Sequence, residues 1–282
     1  MVKGIDVFQN HFARYADQYV LIGGTAATLA MEGAGLEFRA AKDLDIVLHI
    51  EALNAEFATA FWAFVEQGEY EIHHASKTGK PVLYRFQKPK NERFPAMLEL
   101  FCRSPDGMVL AAGSQLTLIP IEDETASLSA ILLDDAYYAF IIAGRKERDG
   151  LRWIGEEQLI PLKARAWLDL NARRALGEPI DAKNIRKHGN DVLRLSQMLA
   201  PDSRIKVAAK IAEDIDRFLG SLITDGSYDP KSVGVNVNLA ELVGRIKRAY
   251  EISSNEPKEG RRFAARCRRT KIGLQVGVTR GS

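Results

Sequence analysis

The sequence predicts an α/β chain, in which a mixed sheet with its covering helices takes residues 1–155, a helical region takes 156–256 and a basic tail takes 257–282. Three observations predict it. A short apolar run, Tyr19 to Ile22, breaks at Gly23-Gly24 and continues through Thr25 into Ala26-Ala27-Thr28-Leu29-Ala30, a strand–turn–helix pattern. Further runs of strand character recur up to Ile154, separated by turn residues and by stretches with helical spacing. From Glu156 onward only the helical spacing remains.

In chain order, residues 5–18 set Val7, Phe8, Phe12 and Tyr15 at helical spacing and lead into the Tyr19 strand. The next helix runs from Thr25, whose hydroxyl suits an N-cap, to Glu32. The loop 33–42 carries Arg39 and Lys42, and Asp43 to Leu48 reads as a strand with Asp43 and Asp45 on one face and Leu44, Ile46 and Leu48 on the other. Glu51 to Gln67 has a helical apolar side of Leu53, Phe57, Phe61, Phe64 and Val65. Tyr70 to His74 and Val82 to Gln87 read as strands joined through a turn-rich SKTGKP segment, and Ala96 to Cys102 as a third strand with Glu99 among apolar residues. Gln115 to Ile121 reads as a strand, Leu128 to Leu133 as a strand or a helix start, Asp134 to Ala143 as a helix and Gly144 to Ile154 as a charged hairpin. Pro161 fits the first turn of a helix that Gly177-Glu178-Pro179 ends. Asp181 suits the cap of the next, where Ile185, His188, Val192, Leu195 and Leu199 recur at helical spacing. Ser203 to Leu222 and Leu239 to Ile252 complete the helical region, with a loop between them.

Two glycines after a strand let the backbone turn sharply and bring its N–H groups close to an anion, and the helix behind them adds unpaired N–H groups and the positive end of its dipole. The phosphates of a nucleoside triphosphate fit on Gly23-Gly24-Thr25, with Arg39 and Lys42 as further phosphate contacts. Two neighbouring carboxylates repel each other, which a bound cation relieves. The expected ion is Mg2+, which takes oxygen ligands and bridges one or two carboxylates to phosphates. Glu99 is costly in so apolar a strand unless it is metal-bound or paired with a Lys or Arg.

The glycine turn followed by the Asp43-Leu44-Asp45 strand resembles the nucleotidyltransferase superfamily that includes DNA polymerase beta, and the third carboxylate that such enzymes carry on a strand at about this point implies Glu99 as a candidate third metal ligand. Further on, LIPLKARAWLDL and GEPIDAKNIRKHGNDVLRL resemble the C-terminal half of the AbiEii family, the nucleotidyltransferase toxins of type IV toxin-antitoxin systems. The resemblance spans Val20 to Leu199, and four family motifs correspond to Gly23-Gly24, Asp43 with Asp45, Lys163, and Asp191, with Asp181 as a rival to the last. It implies a polymerase-beta-like catalytic domain followed by a helical one. It also implies Lys163 on the triphosphate and Asp191 completing the polar network or assisting the acceptor. The implied activity is Mg2+-dependent transfer of a nucleoside monophosphate to an acceptor hydroxyl with release of pyrophosphate. The implied partners are an RNA acceptor, tRNA in particular, and a cognate antitoxin. Arg165, Arg173, Arg174, Lys183, Arg186 and Lys187 are candidates for RNA phosphate contacts. Nucleotidylation of a protein or small molecule, and nucleotide binding without turnover, are the alternatives.

Composition narrows the classes. Net charge is +2, but the tail from Pro257 to Ser282 carries +7 and the rest of the chain −5, so a nucleic-acid surface on the body must be a local patch. The most apolar stretch, Leu128 to Ala143, is cut by Asp134-Asp135, and MVKGIDVFQNHF lacks the apolar core of a secretory signal, so a cytoplasmic protein with no membrane partner is expected. Cys102 and Cys267 offer no disulfide framework, and the five histidines form no zinc pattern.

Overall fold

The computed structural model describes residues 2–39, 41–49, 52, 54–72, 82–102, 131–132 and 134–252. The expected turn segment after His73, the Gln115 to Ile121 run and the basic tail lie outside them. The helices are α1 (Ile5–Phe12), α2 (Gly23–Gly33), α3 (Ala55–Gly68), α4 (Asp135–Ala143), α5 (Glu156–Ala175), α6 (Ala182–Leu195), α7 (Ala209–Asp225) and α8 (Leu239–Ala249). The strands are β1 (Tyr19–Ile22), β2 (Asp43–Leu48), β3 (Glu71–Ile72), β4 (Val82–Gln87), β5 (Met97–Cys102), β6 (Arg145–Arg148) and β7 (Leu151–Ile154). The chain is α/β with a mixed open sheet in the order β3-β4-β5-β2-β1-β7-β6. β2 runs parallel to β5 and β1 parallel to β7, and the remaining neighbours are antiparallel.

Hydrophobic patterning explains the order. β1, apolar at all four positions, is buried throughout and sits in the middle, covered on both faces. β6, which reads Arg-Lys-Glu-Arg and is exposed along most of its length, forms an edge, where charge discourages pairing with another chain. On one sheet face Tyr19 meets the edge of Phe8 from α1 and Phe86 meets Phe61 from α3, part of an aromatic core that also includes Phe12, Phe57 and Phe64. Those rings leave the opposite face of β2, β5 and β4 to carry charge. The helices after residue 155 pack against α2, α4 and β7, and the residues up to Ile252 form one compact unit.

Several boundaries differ from the sequence expectation for identifiable reasons. α1 stops at Phe12 and continues as a 3-10 helix to Gln18, kinked at Tyr15 with φ −114° and ψ 18°. α2 starts at Gly23, so Thr25 lies inside the helix and is not its N-cap; its hydroxyl instead donates to the Asp43 carbonyl at 2.7 Å. α3 starts at Ala55, where Asn54 accepts from the Phe57 N–H at 2.9 Å, and α7 starts at Ala209 rather than Ser203. Asp181 does cap α6, accepting from the Lys183 N–H at 2.8 Å. Pro161 is interior to α5, not in its first turn. A proline there cannot donate to the carbonyl four residues back, that of Glu157. The Tyr250 hydroxyl at the end of α8 donates to that carbonyl instead, at 2.7 Å. Among the described residues no helix is long and apolar enough to cross a membrane.

Candidate functional site

The charged face of the sheet opens into a cleft of about 260 Å³, walled on its other side by α5 and α6. Gly23, Gly24, Lys42, Asp43, Asp45, Glu99 and Lys163 all line it, together with Arg39, Arg85, Lys187 and His188. Leu159, Leu162 and Ala166 of α5 supply an apolar wall beside Lys163, as positions three and four apart on one helical face must.

Strand register arranges the polar floor. Ile22 pairs with Asp45, Asp45 with Glu99 and Glu99 with Arg85, so these four side chains share one sheet face across four adjacent strands. Asp43 follows one row over, beside Met97. Gly23, at the end of β1, has φ +65°, and a Cβ placed there would lie 1.8 Å from Asp45 Oδ2. The position therefore needs glycine twice, once for its backbone and once for the carboxylate pressed against it. The Gly24 N–H points to Asp45 Oδ2 at 3.4 Å, so the positive end of α2 faces this carboxylate.

Glu99, buried in the cleft floor, is paired with Arg85: Oε1 lies 2.8 Å from Nε and 2.6 Å from Nη2, with both side chains less than a tenth exposed. Of the two sequence readings, metal ligand or ion pair, this geometry supplies the ion pair. Among the described residues no three His, Cys, Asp or Glu side chains gather closely enough to hold a metal ion. Asp43 and Asp45, two hard oxygen donors on one face of the cleft, are the side chains of a kind that could hold a Mg2+ ion.

Behind the cleft wall stands Asp191, fully buried in α6. Arg39 holds it with two bonds, Nε to Oδ1 at 3.1 Å and Nη2 to Oδ2 at 2.9 Å, and Lys163 Nζ lies 3.2 Å from Oδ2. Burial alone would raise the carboxyl's pKa; Lys163 and Arg39, with a contribution from His188, outweigh it and hold the value down to about 2. Asp191 thus stays ionised and ties the 34–42 loop, α5 and α6 into one charged cluster. Lys163, which sequence alone could not distinguish from a surface lysine, is buried and faces the cleft. Asp181 serves as a cap instead.

Arg85 is a charged cleft residue that the sequence reading missed. The available signal was an arginine amid the apolar strand VLYRFQ, near a strand carrying a buried glutamate. Of the basic residues expected to meet RNA, Arg165 is tied to Asp214 at 3.1 Å, Arg173 to Glu178 at 2.6 Å and Arg186 to the Ser227 carbonyl at 2.8 Å, while Lys187 lines the cleft. Compared with known protein families, curated proteins and solved structures, the chain matches none.

Proposed function

We propose that the chain is a Mg2+-dependent nucleotidyltransferase that moves a nucleoside monophosphate from a nucleoside triphosphate to a hydroxyl of RNA, with tRNA as the first acceptor to try. The observation that carries the reading is the convergence, in one cleft, of the glycine turn, the Asp43–Asp45 pair and the buried Lys163 from a helix more than a hundred residues away in sequence. Asp43 and Asp45 would hold Mg2+, which when bound neutralises charge on the reacting oxygens and favours ionisation of the acceptor hydroxyl. Arg39 and Lys163, held together and oriented by Asp191, would meet the triphosphate near the glycine turn. The acceptor oxygen bonds to the α-phosphorus as the bond from that phosphorus to the bridging oxygen breaks; the electron pair leaves with pyrophosphate, and the hydroxyl proton passes to water. The apolar α5 wall of Leu159, Leu162 and Ala166 suits the flat face of a nucleobase.

The resemblance to AbiEii proteins extends the proposal to a toxin of a type IV toxin-antitoxin system, with growth arrest on expression that a cognate antitoxin relieves. The biochemical test incubates the protein with Mg2+, each α-labelled nucleoside triphosphate in turn and total tRNA, beside Asp45→Asn. Label on RNA that the variant fails to transfer, with its circular dichroism unchanged, is the expected result. Undiminished transfer by Asp45→Asn would overturn the site assignment. Triphosphate binding without transfer to RNA, protein or a small alcohol would make the chain a nucleotide-binding module.

A further inference from the structure

We infer that Arg85 receives the acceptor, by binding a phosphate beside the attacking hydroxyl, and that Glu99 is the positioning residue that aims its guanidinium rather than a ligand for a second metal. This rests on the nucleotidyl-transfer reading above.

The row Ile22, Asp45, Glu99, Arg85 gives the cleft a direction. With strands spaced about 4.8 Å apart, Arg85 stands three spacings, roughly 14 Å, from the end of β1 where the glycine turn lies. Arg39 belongs to the glycine end, since its guanidinium nitrogens are 3.7 and 3.8 Å from the place a Cβ on Gly24 would take, and Asp191 binds Lys163 to the same cluster. An in-line displacement puts the entering oxygen and the departing pyrophosphate on opposite sides of the α-phosphorus. A triphosphate anchored at the glycine end, with its α-phosphorus over Asp43 and Asp45, therefore meets its acceptor from the β5–β4 end. Arg85, on β4, lines the cleft at that end.

The setting of Arg85 suits a phosphate. Its side chain is 7% exposed and always charged, and the two contacts to Glu99 Oε1 fix the plane of the guanidinium. A guanidinium whose plane is so fixed matches the oxygens of a phosphate, the anion that takes oriented N–H donors in pairs. The acceptor class that joins a hydroxyl to a phosphate one linkage away is the end of a polynucleotide.

The test measures label transfer to RNA by the full chain, as wild type, Arg85→Lys, Glu99→Gln and the R85M/E99M double variant. The double variant removes both charges of this ion pair together, so neither is left facing a neutral partner, and an unchanged circular dichroism spectrum and melting temperature qualify it for the comparison. Each variant is expected to raise the KM for RNA about tenfold, the size of one lost charge-assisted contact, while the KM for the nucleotide stays put. RNA with one neutral methylphosphonate in its 3′-terminal linkage should be used poorly by the wild type, and R85M/E99M should not distinguish it from ordinary RNA. Mn2+ binding to the free protein, read by electron paramagnetic resonance, should be unchanged in Glu99→Gln. A rise in nucleotide KM alone, equal use of the neutral-linkage RNA by the wild type, or loss of Mn2+ binding in Glu99→Gln overturns the inference. Transfer to RNA with an unmoved RNA KM overturns it alone, whereas a wild type that transfers from no nucleotide overturns the reading beneath it as well.

Discussion

At the scale of single residues, two adjacent glycines carry different burdens. A Cβ at Gly23 would meet Asp45 Oδ2 at 1.8 Å on a backbone with φ +65°, whereas one at Gly24 would lie 3.4 Å from the Ala41 Cβ, an ordinary contact. Gly23→Ala should therefore lower the melting temperature and abolish transfer by displacing Asp45, while Gly24→Ala should fold like the wild type; equal melting temperatures for the two variants would contradict this account. Asp191 governs a pH effect. Its carboxyl is held at about 2 in the folded chain, below the value of about 4 for an unfolded aspartate. Its contribution to stability is thus complete above pH 4 and is lost as the pH falls through 2. Asp191→Asn leaves Arg39 and Lys163 without their buried counter-charge and should cost roughly 3–5 kcal/mol at pH 7. Urea unfolding at a series of pH values checks it, since the gap between wild type and variant should narrow from pH 4 downward.

At the scale of elements, α5 contains a proline that its own helix cannot accommodate without help. The Glu157 carbonyl loses its partner at Pro161 and takes the Tyr250 hydroxyl from the end of α8, a contact across 93 residues of chain. Tyr250→Phe should cost about 1–3 kcal/mol, because it leaves a carbonyl unsatisfied in a mostly buried place. In a Pro161→Ala background the restored N–H takes over the carbonyl, and the same Tyr250→Phe change should cost clearly less. A double-mutant cycle in denaturant checks this, and strictly additive costs would show that the two residues do not share the carbonyl. The pair also accounts for the misplaced helix start. Proline favours first turns on average, and only a tyrosine far along the chain lets it sit deeper.

At the scale of the whole molecule, the cleft exists only because sheet and helices belong to one unit. The sheet brings Asp43, Asp45, Glu99 and Arg85, and α5 and α6 bring Lys163, Lys187 and His188. The α2–β2 loop links the two through Arg39 and Asp191. A single unfolding transition follows. Chains retaining only Trp62, in α3, or only Trp167, in α5, should unfold at the same denaturant concentration. Separated midpoints would instead divide the chain near residue 155.

The sequence by itself determined the mixed α/β character, the helices that follow residue 155 and the positions of Gly23, Gly24, Asp43 and Asp45, because glycine turns and period-two alternation are local properties of a chain. It also carried the choice between Asp181 and Asp191 as far as two rivals. Tertiary structure gives them different surroundings, placing Asp181 on a helix end and Asp191 buried among Arg39 and Lys163, since burial depends on neighbours that are distant in sequence. The same reason explains Arg85 and Glu99. A glutamate in an apolar strand announces that something must compensate its charge, but strand order and register alone bring β4 beside β5 and so name the arginine that does.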